Sequence, residues 1–321
     1  MHQTTGQWRL GLILSLTTAF FWGWLPIALK GLLDGLDPIT ITWYRLLTSA
    51  LILGIYLHRK GTFKTLHTPD RTITLLIIIA IFGLCGNYIL FLFGLDHISP
   101  NSATVVIQLA PVFLLVGSIL FFKERFVMKQ WLGYIILICG LGLFFNERLH
   151  ELLFEMSDYT VGVLFVLAAA ISWAAYALVQ KQLLKHYSSG TIMFIIYFTG
   201  FIIFSPKAQP GTISDINSAQ LFLLLFCIAN TLIAYGSFAE ALNHLEASRV
   251  STVLAIVPLL TVIFMEISVR VFPGFENSEP LNDLGYIGAV LVVIGSMVSS
   301  ITSPRDSKEG RELSILTQPS E

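Results

Sequence analysis

The sequence predicts an all-α integral membrane protein of ten transmembrane helices, arranged as two inverted repeats of five. Three observations carry this reading. The chain has too little charge to clothe a water-facing surface, it holds ten apolar runs of about membrane-crossing length, and its second half repeats landmarks of its first.

Of the 321 residues, 55% are hydrophobic and only 12% charged. A soluble domain carries roughly 25% charged residues, so lipid must solvate most of this surface. The net charge of −1 offers nothing to a nucleic-acid partner. The expected partners are the lipid bilayer and a small-molecule substrate, and no cofactor or metal is expected. Cys85, Cys139 and Cys227 each sit inside an apolar run, which argues against a disulfide framework and for small packing residues.

A helix needs ~20 apolar residues to cross ~30 Å of hydrocarbon. Runs of about that length cover residues 10–30, 38–58, 72–94, 101–122, 128–146, 159–182, 189–205, 218–240, 247–271 and 282–301. The first is too long for a signal-peptide core and is followed by no small-x-small cleavage site, so it reads as a retained helix. Barrel strands would alternate polar and apolar residues, whereas residues 75–82 are apolar throughout.

The loops fix an orientation. With the N-terminus inside, the inner segments hold fourteen Lys and Arg, among them Arg59, Lys60, Lys64 and Arg71, while the outer segments hold Lys30, Arg148, Lys207 and Arg270. Positive residues stay cytoplasmic, so both termini are expected in the cytoplasm. The domain plan is an N-terminal segment 1–9, a first repeat 10–146, a linker 147–158, a second repeat 159–302 and a polar, disordered tail 303–321. Residues 272–283, with Pro273, Gly274 and Pro280, read as an outer surface loop.

The duplication appears when the chain is slid along itself. A shift of 151 lays Gly11 on Gly162, Trp22 on Trp173 and Lys30 on Lys181. A shift of 147 lays Tyr88 on Tyr235, His97 on His244 and Pro111 on Pro258. The last helix pair has two registers. A shift of 152 matches residues 132–135 with 284–287, and one of 155 lays Gly133 on Gly288 and Gly140 on Gly295. Five helices per repeat is an odd number, so the second copy enters from the opposite side. That is the design of a solute carrier, in which two equivalent packings expose one central site to either face.

These residues carry a resemblance. Phe21-Trp22-Gly23, Trp43-Tyr44-Arg45-Leu46, Ala110-Pro111-Val112, Lys123-Glu124-Arg125 and Gly133…Gly140 recur in part as Ser172-Trp173, Ser248-Arg249, Val257-Pro258 and Gly288…Gly295. In order and spacing, residues 10–302 resemble the drug/metabolite transporter superfamily, in particular proteins with two EamA domains. One departure is the longer loop holding Glu276 and Glu279, where the family has a short Gly-Glu turn. The resemblance implies a central cavity lined mainly by helices 1–4 and 6–9, with helices 5 and 10 more peripheral; those two helices could serve a homodimer. It also implies efflux or exchange of amino acids, related metabolites or drugs; the topology suggests a bacterial inner membrane.

Polar groups deep in a span avoid lipid, so they face other helices or a wet cavity. Trp22 and Trp173 fall at mid-span and offer a solute a flat wall with one N–H donor, or else pack helices. Trp24 lies about 200° around the helix from Trp22, on another face. Asn87, Tyr88, Gln108, Tyr176, Gln180, Asn230 and Tyr235 are substrate-binding candidates whose alternative is interhelical hydrogen bonding. Pro26, Pro111 and Pro258 interrupt helical bonding, and the repeated pair suits gating as well as a static kink. Gly83, Gly86, Gly133, Gly140, Gly285, Gly288 and Gly295 read as close-approach positions.

Arg45 and Glu266 are ionisable residues inside spans. They could snorkel outward, pair with each other, or serve coupling, with Glu266 taking a proton or Arg45 a substrate carboxylate. His97 and His244 fall at helix ends on opposite faces and cannot share a metal. No phosphate loop, Gly-x-Ser-x-Gly or His-Glu-x-x-His is present, so the chain reads as a carrier rather than an intramembrane enzyme, a channel or a receptor. An aromatic, nearly uncharged cavity favours a zwitterionic or apolar solute over a sugar phosphate, which needs basic residues.

Overall fold

The computed structural model describes residues 7–62, 70–122, 128–245, 247–271 and 279–300. Within them lie α1 (Trp8–Leu33), α2 (Pro38–Arg59), α3 (Arg71–His97), α4 (Pro100–Val106), α5 (Ala110–Phe122), α6 (Met128–Phe144), α7 (Leu149–Phe154), α8 (Asp158–Leu183), α9 (Ser189–Phe204), α10 (Ser218–His244), α11 (Ala247–Leu254), α12 (Val257–Val271) and α13 (Asp283–Ser300). The expected tail 303–321 and most of the expected loop 272–283 lie outside the described residues.

Helix starts follow from short polar caps. Asp37 accepts from the Ile39 and Thr40 amides, Asp70 from Ile73, Ser157 from Thr160 and Ser188 from Thr191. Asn217 and Gln220 form a reciprocal capping box. Pro38 and Pro100 take first-turn positions, where a missing N–H costs nothing.

Two expected continuous helices are broken. The 101–122 run divides into α4 and α5 at a 3-10 turn over Ile107–Leu109, and the 247–271 run divides into α11 and α12 after Leu254. Proline is the cause. Pro111 and Pro258 cannot donate to the carbonyls four residues back, and the chain tightens to i→i+3 bonds, from the Ala110 amide to Ile107 and from the Ile256 amide to Val253. Counting apolar residues does not register these breaks.

Among the described residues, six helical stretches are long and apolar enough to cross a membrane: Trp8–Leu33, Pro38–Arg59, Arg71–His97, Asp158–Gln180, Ser218–Phe238 and, counted across its break, Arg249–Val271. Four more, Pro100–Leu114, Gln130–Phe144, Ser189–Phe204 and Asp283–Ser299, are apolar but shorter. The shorter helix α9 follows its expected run 189–205 to within one residue, with 16 helical residues and ~24 Å of rise. The 147–158 linker is partly helical, as α7.

α1 packs along α10 and α3 along α8, while α2 meets α9 and α6 meets α13. These contacts recur with the two halves exchanged. A Cβ on Gly11 would stand 3.0 Å from His244 Cβ and 2.6 Å from Leu245 Cγ; one on Gly162 would stand 2.7 Å from His97 Cβ and 2.6 Å from Ile98 Cγ2. Asn87 donates to the Ala169 carbonyl at 3.0 Å, and at the equivalent crossing Thr18 donates to the Ala234 carbonyl at 3.2 Å. Shifts of 151 and 147 convert each pair of positions into the other, with donor and acceptor exchanged in the hydrogen-bonded pair.

At the α6–α13 crossing, a Cβ on Gly140 would meet the Val292 amide nitrogen at 2.6 Å, and one on Gly133 would meet the Gly295 carbonyl at 2.7 Å. The close pairs are thus Gly133 with Gly295 and Gly140 with Gly288. Exchange of halves preserves them at a shift of 155 and not at 152, which resolves the register left open by the sequence. Gly285 differs from its reading, since a Cβ there would meet only Leu281 and Asn282 beside it in the chain.

One end of the bundle is tied by polar contacts. Lys30 donates to the Leu95 and Asp96 carbonyls, and Ser99 and Ser102 both donate to Glu279 Oε2. Asn146 and Asn282 exchange amide bonds at 3.0 and 3.1 Å, and the Arg148 guanidinium lies over the Tyr159 ring. Beside them the Ser157 hydroxyl and Arg148 hold the Glu151 carboxyl below the usual range. The outward surface is apolar, with Phe82, Leu120, Phe121, Trp131 and Phe222 exposed, as a lipid-facing belt requires.

Candidate functional site

Between the halves lies a cavity of about 210 Å³, lined from α1, α2, α3, α8, α10 and α13 and from both helix breaks. Its walls are built in repeat-related pairs. Trp22 and Trp173, Tyr88 and Tyr235, Phe91 and Phe238, Thr104 and Ser251, Ile107 and Leu254, and Gln108 and Ala255 all line it. Each pair is related by the shifts of 151 or 147.

An aromatic cluster forms one side. The Trp22 ring meets Tyr235 edge-on at 5.5 Å and Phe238 at 5.8 Å, and Tyr88 meets Tyr235 at 6.0 Å. Two of these contacts are edge-to-face and the Trp22–Phe238 contact is tilted, arrangements that aromatic rings favour over a face-to-face sandwich. Trp24, on the other face of α1, stacks on Phe264 at 4.7 Å.

The polar groups are few. Gln108 Nε2 donates to the Ala255 carbonyl at 3.2 Å, and Asn87 uses its Nδ2 on Ala169. Both amides therefore bind the facing half through their N–H groups and keep a carbonyl oxygen as acceptor. Arg45 is 2% exposed, yet it lines the cavity. Its Nε donates to Thr231 Oγ1 at 3.1 Å and its guanidinium carbon lies 4.8 Å from the Tyr88 ring centre. Thr231 is itself anchored on the Cys227 carbonyl, and Tyr197 donates to the Thr231 carbonyl.

Of the residues singled out in the sequence, Trp22, Pro26, Arg45, Asn87, Tyr88, Gln108, Pro111, Trp173 and Tyr235 line this space. Tyr176, Gln180, Asn230, Pro258 and Glu266 do not. Tyr176 donates to the Met193 sulfur in the core, and Asn230 donates to the Phe21 carbonyl at the α1–α10 crossing. Pro258 sits one residue past the lining residue Val257. Glu266 is half exposed and 3.9 Å from Arg270, one turn on, so the contemplated pair with Arg45 is not formed. Its helix position turns it to the outer surface.

Phe91, Thr104, Phe238 and Ser251 were missed. The signal was available: the shift of 147 pairs Phe91 with Phe238 and Thr104 with Ser251. Phenylalanine and small hydroxyl residues are common in apolar helices, however, and identity alone did not mark them.

Paired lining residues, proline-broken helices and the buried Arg45 guanidinium define a membrane carrier with a central site. The profile of the EamA-like transporter family matches twice, over residues 9–146 and 160–301, and the chain belongs to that family. It is 39% identical to the inner membrane transporter YhbE of Escherichia coli (strain K12), over 94% of this chain and 93% of that one. It is 36% identical to a transporter of Haemophilus influenzae, over 91% and 95%. A solved crystal structure superposes with a TM-score of 0.63 at 16% identity, covering 92% of this chain and 97% of the other, a likeness of fold.

Proposed function

We propose that this transporter moves a small organic solute across the bacterial inner membrane by alternating access, in efflux or exchange. Ten helices cross the bilayer as two inverted repeats, residues 10–146 and 159–302, with both termini cytoplasmic and the Lys30–Glu279–Arg148 end outside. The observation that carries this reading is the pairing of the cavity wall. A site built from equivalent positions of two halves meets the same side chains whichever half swings. The breaks preceding Pro111 and Pro258 put irregular backbone at the site, and irregular segments in membranes occur where they line a cavity.

The volume of about 210 Å³ is below the roughly 300–1,000 Å³ of most ligand pockets. The aromatic walls suit an apolar body, and Asn87, Gln108 and Arg45 suit its polar end. Amino acids and related metabolites meet that description. Trp22, Asn87, Tyr88, Gln108, Trp173 and Tyr235 form the binding surface, while Pro111 and Pro258 serve gating.

The test compares metabolites inside and outside cells that express the wild type or the Trp173→Ala variant at matched membrane levels. A solute redistributed only by the wild type supports the reading. No redistribution of any solute by a well-expressed wild type counts against it.

A further inference from the structure

We infer that Arg45 is the receptor for a single carboxylate on the solute, and that the preferred cargo is a monoanionic organic acid with an apolar body rather than an amine or a cationic drug. The inference rests on the transport reading and deepens it.

A guanidinium carries five N–H donors. In Arg45 the Nε–H is taken by Thr231, and among the described residues no protein acceptor meets the two terminal nitrogens. No carboxylate pairs with it there, and neither Asp nor Glu lines the cavity. A charge this deep is strongly unfavourable unless compensated. The face of Tyr88 compensates in part, because the ring is electron-rich. With the Nε–H taken by Thr231, the two Nη groups remain as the donors that can bind a carboxylate through two parallel bonds.

Charge then ranks the solutes. The cavity side chains carry one positive charge through Arg45. A monoanion makes the loaded site neutral, a zwitterion leaves it positive by one, and an amine makes it positive by two. In a low-dielectric space each uncompensated charge weakens binding. The carbonyl oxygens of Asn87 and Gln108 can accept from a hydroxyl, amide or ammonium donor, but they are neutral and cancel no charge. The repeat counterpart of Arg45 is Ile196, which is buried in the core. The anion site is therefore single, and it lies on the first half.

The experiment uses the full chain in lipid nanodiscs and four probes sharing one phenyl body: 3-phenylpropionate, 3-phenylpropanamide, 3-phenylpropylamine and phenylalanine. Binding is read as saturable quenching of tryptophan fluorescence. The expected order is phenylpropionate tightest by roughly tenfold over the amide and the amine, with phenylalanine between them. In Arg45→Gln the preference for the carboxylate should vanish, and Arg45→Lys should retain part of it. The wild-type order stands without either variant, should they fail to fold. Equal affinity for acid and amide, or wild-type preference in a folded Arg45→Gln protein, overturns the inference. Absence of binding by all four also overturns it. Redistribution of another solute in the cell experiment would then leave transport standing alone.

Discussion

Gln108 donates its side-chain amide to the backbone carbonyl of Ala255, its own counterpart in the second half, at 3.2 Å. The bond joins the two helix breaks across the centre of the molecule. Each partner lies in the turn just before a proline, so the contact links the two helix breaks directly. The Gln108→Leu variant loses it at a cost of roughly 0.6 kcal/mol, about a threefold shift in a conformational equilibrium. Membrane abundance should stay near wild type while solute flux falls several-fold. Unchanged flux would reduce the bond to a passive brace.

Trp22 and Trp173 are equivalent positions that meet one cavity from opposite halves. Truncating either removes an aromatic wall, whereas a packing tryptophan would be needed chiefly for folding. Trp22→Ala and Trp173→Ala should each lower flux by about tenfold or more, with thermal stability in detergent reduced by only a few degrees. Trp24→Ala, which removes the ring stacked on Phe264, should show the reverse pattern.

Much of this was legible because membranes simplify the code. Apolar runs locate helices, and the duplication identified Trp22 with Trp173 and Tyr88 with Tyr235 as partners before any contact was known. Two kinds of information were not legible. Helix continuity was one, because apolar residues run straight through the breaks before Pro111 and Pro258, where the backbone leaves the α-helical pattern. The cavity is also asymmetric, so periodicity placed Tyr176 and Gln180 beside Trp173 on one helix face without telling that the space ends before them. Glu266 misled for a related reason: depth along a helix is readable from sequence, whereas rotation about it is set by packing.

The α6–α13 crossing tests close approach. A Cβ added at Gly140 meets backbone of α13, which cannot rotate away, so Gly140→Ala must push the helices apart. Overpacking of this kind costs about 1–3 kcal/mol, and a clear drop in melting temperature is expected. Gly142→Ala is the control: nothing lies within 4 Å of its added Cβ, and alanine is the better helix former by up to about 1 kcal/mol. Equal destabilisation by both substitutions would refute the close-approach account.

The asymmetry of the cavity carries the sharpest prediction. Leu25 and Leu29 of α1 line it, whereas their counterparts at a shift of 151, Tyr176 and Gln180 of α8, do not. If two inverted repeats exchange roles during transport, the other state should cover Leu29 and uncover Gln180, while Trp22 and Trp173 stay lining in both. Single-cysteine variants report this directly, in a background where Cys85, Cys139 and Cys227 are replaced. A membrane-impermeant thiol reagent added to one face of oriented vesicles should label Leu29→Cys, and added to the other face should label Gln180→Cys, each by roughly tenfold over the opposite face, as expected for two states within a few kcal/mol of each other. Labelling of both positions from the same face would leave a fixed, one-sided cavity and contradict alternating access. Failure of Gln180→Cys to react from either side, with Leu29→Cys reactive, would do the same, because the second half would then never take the place of the first.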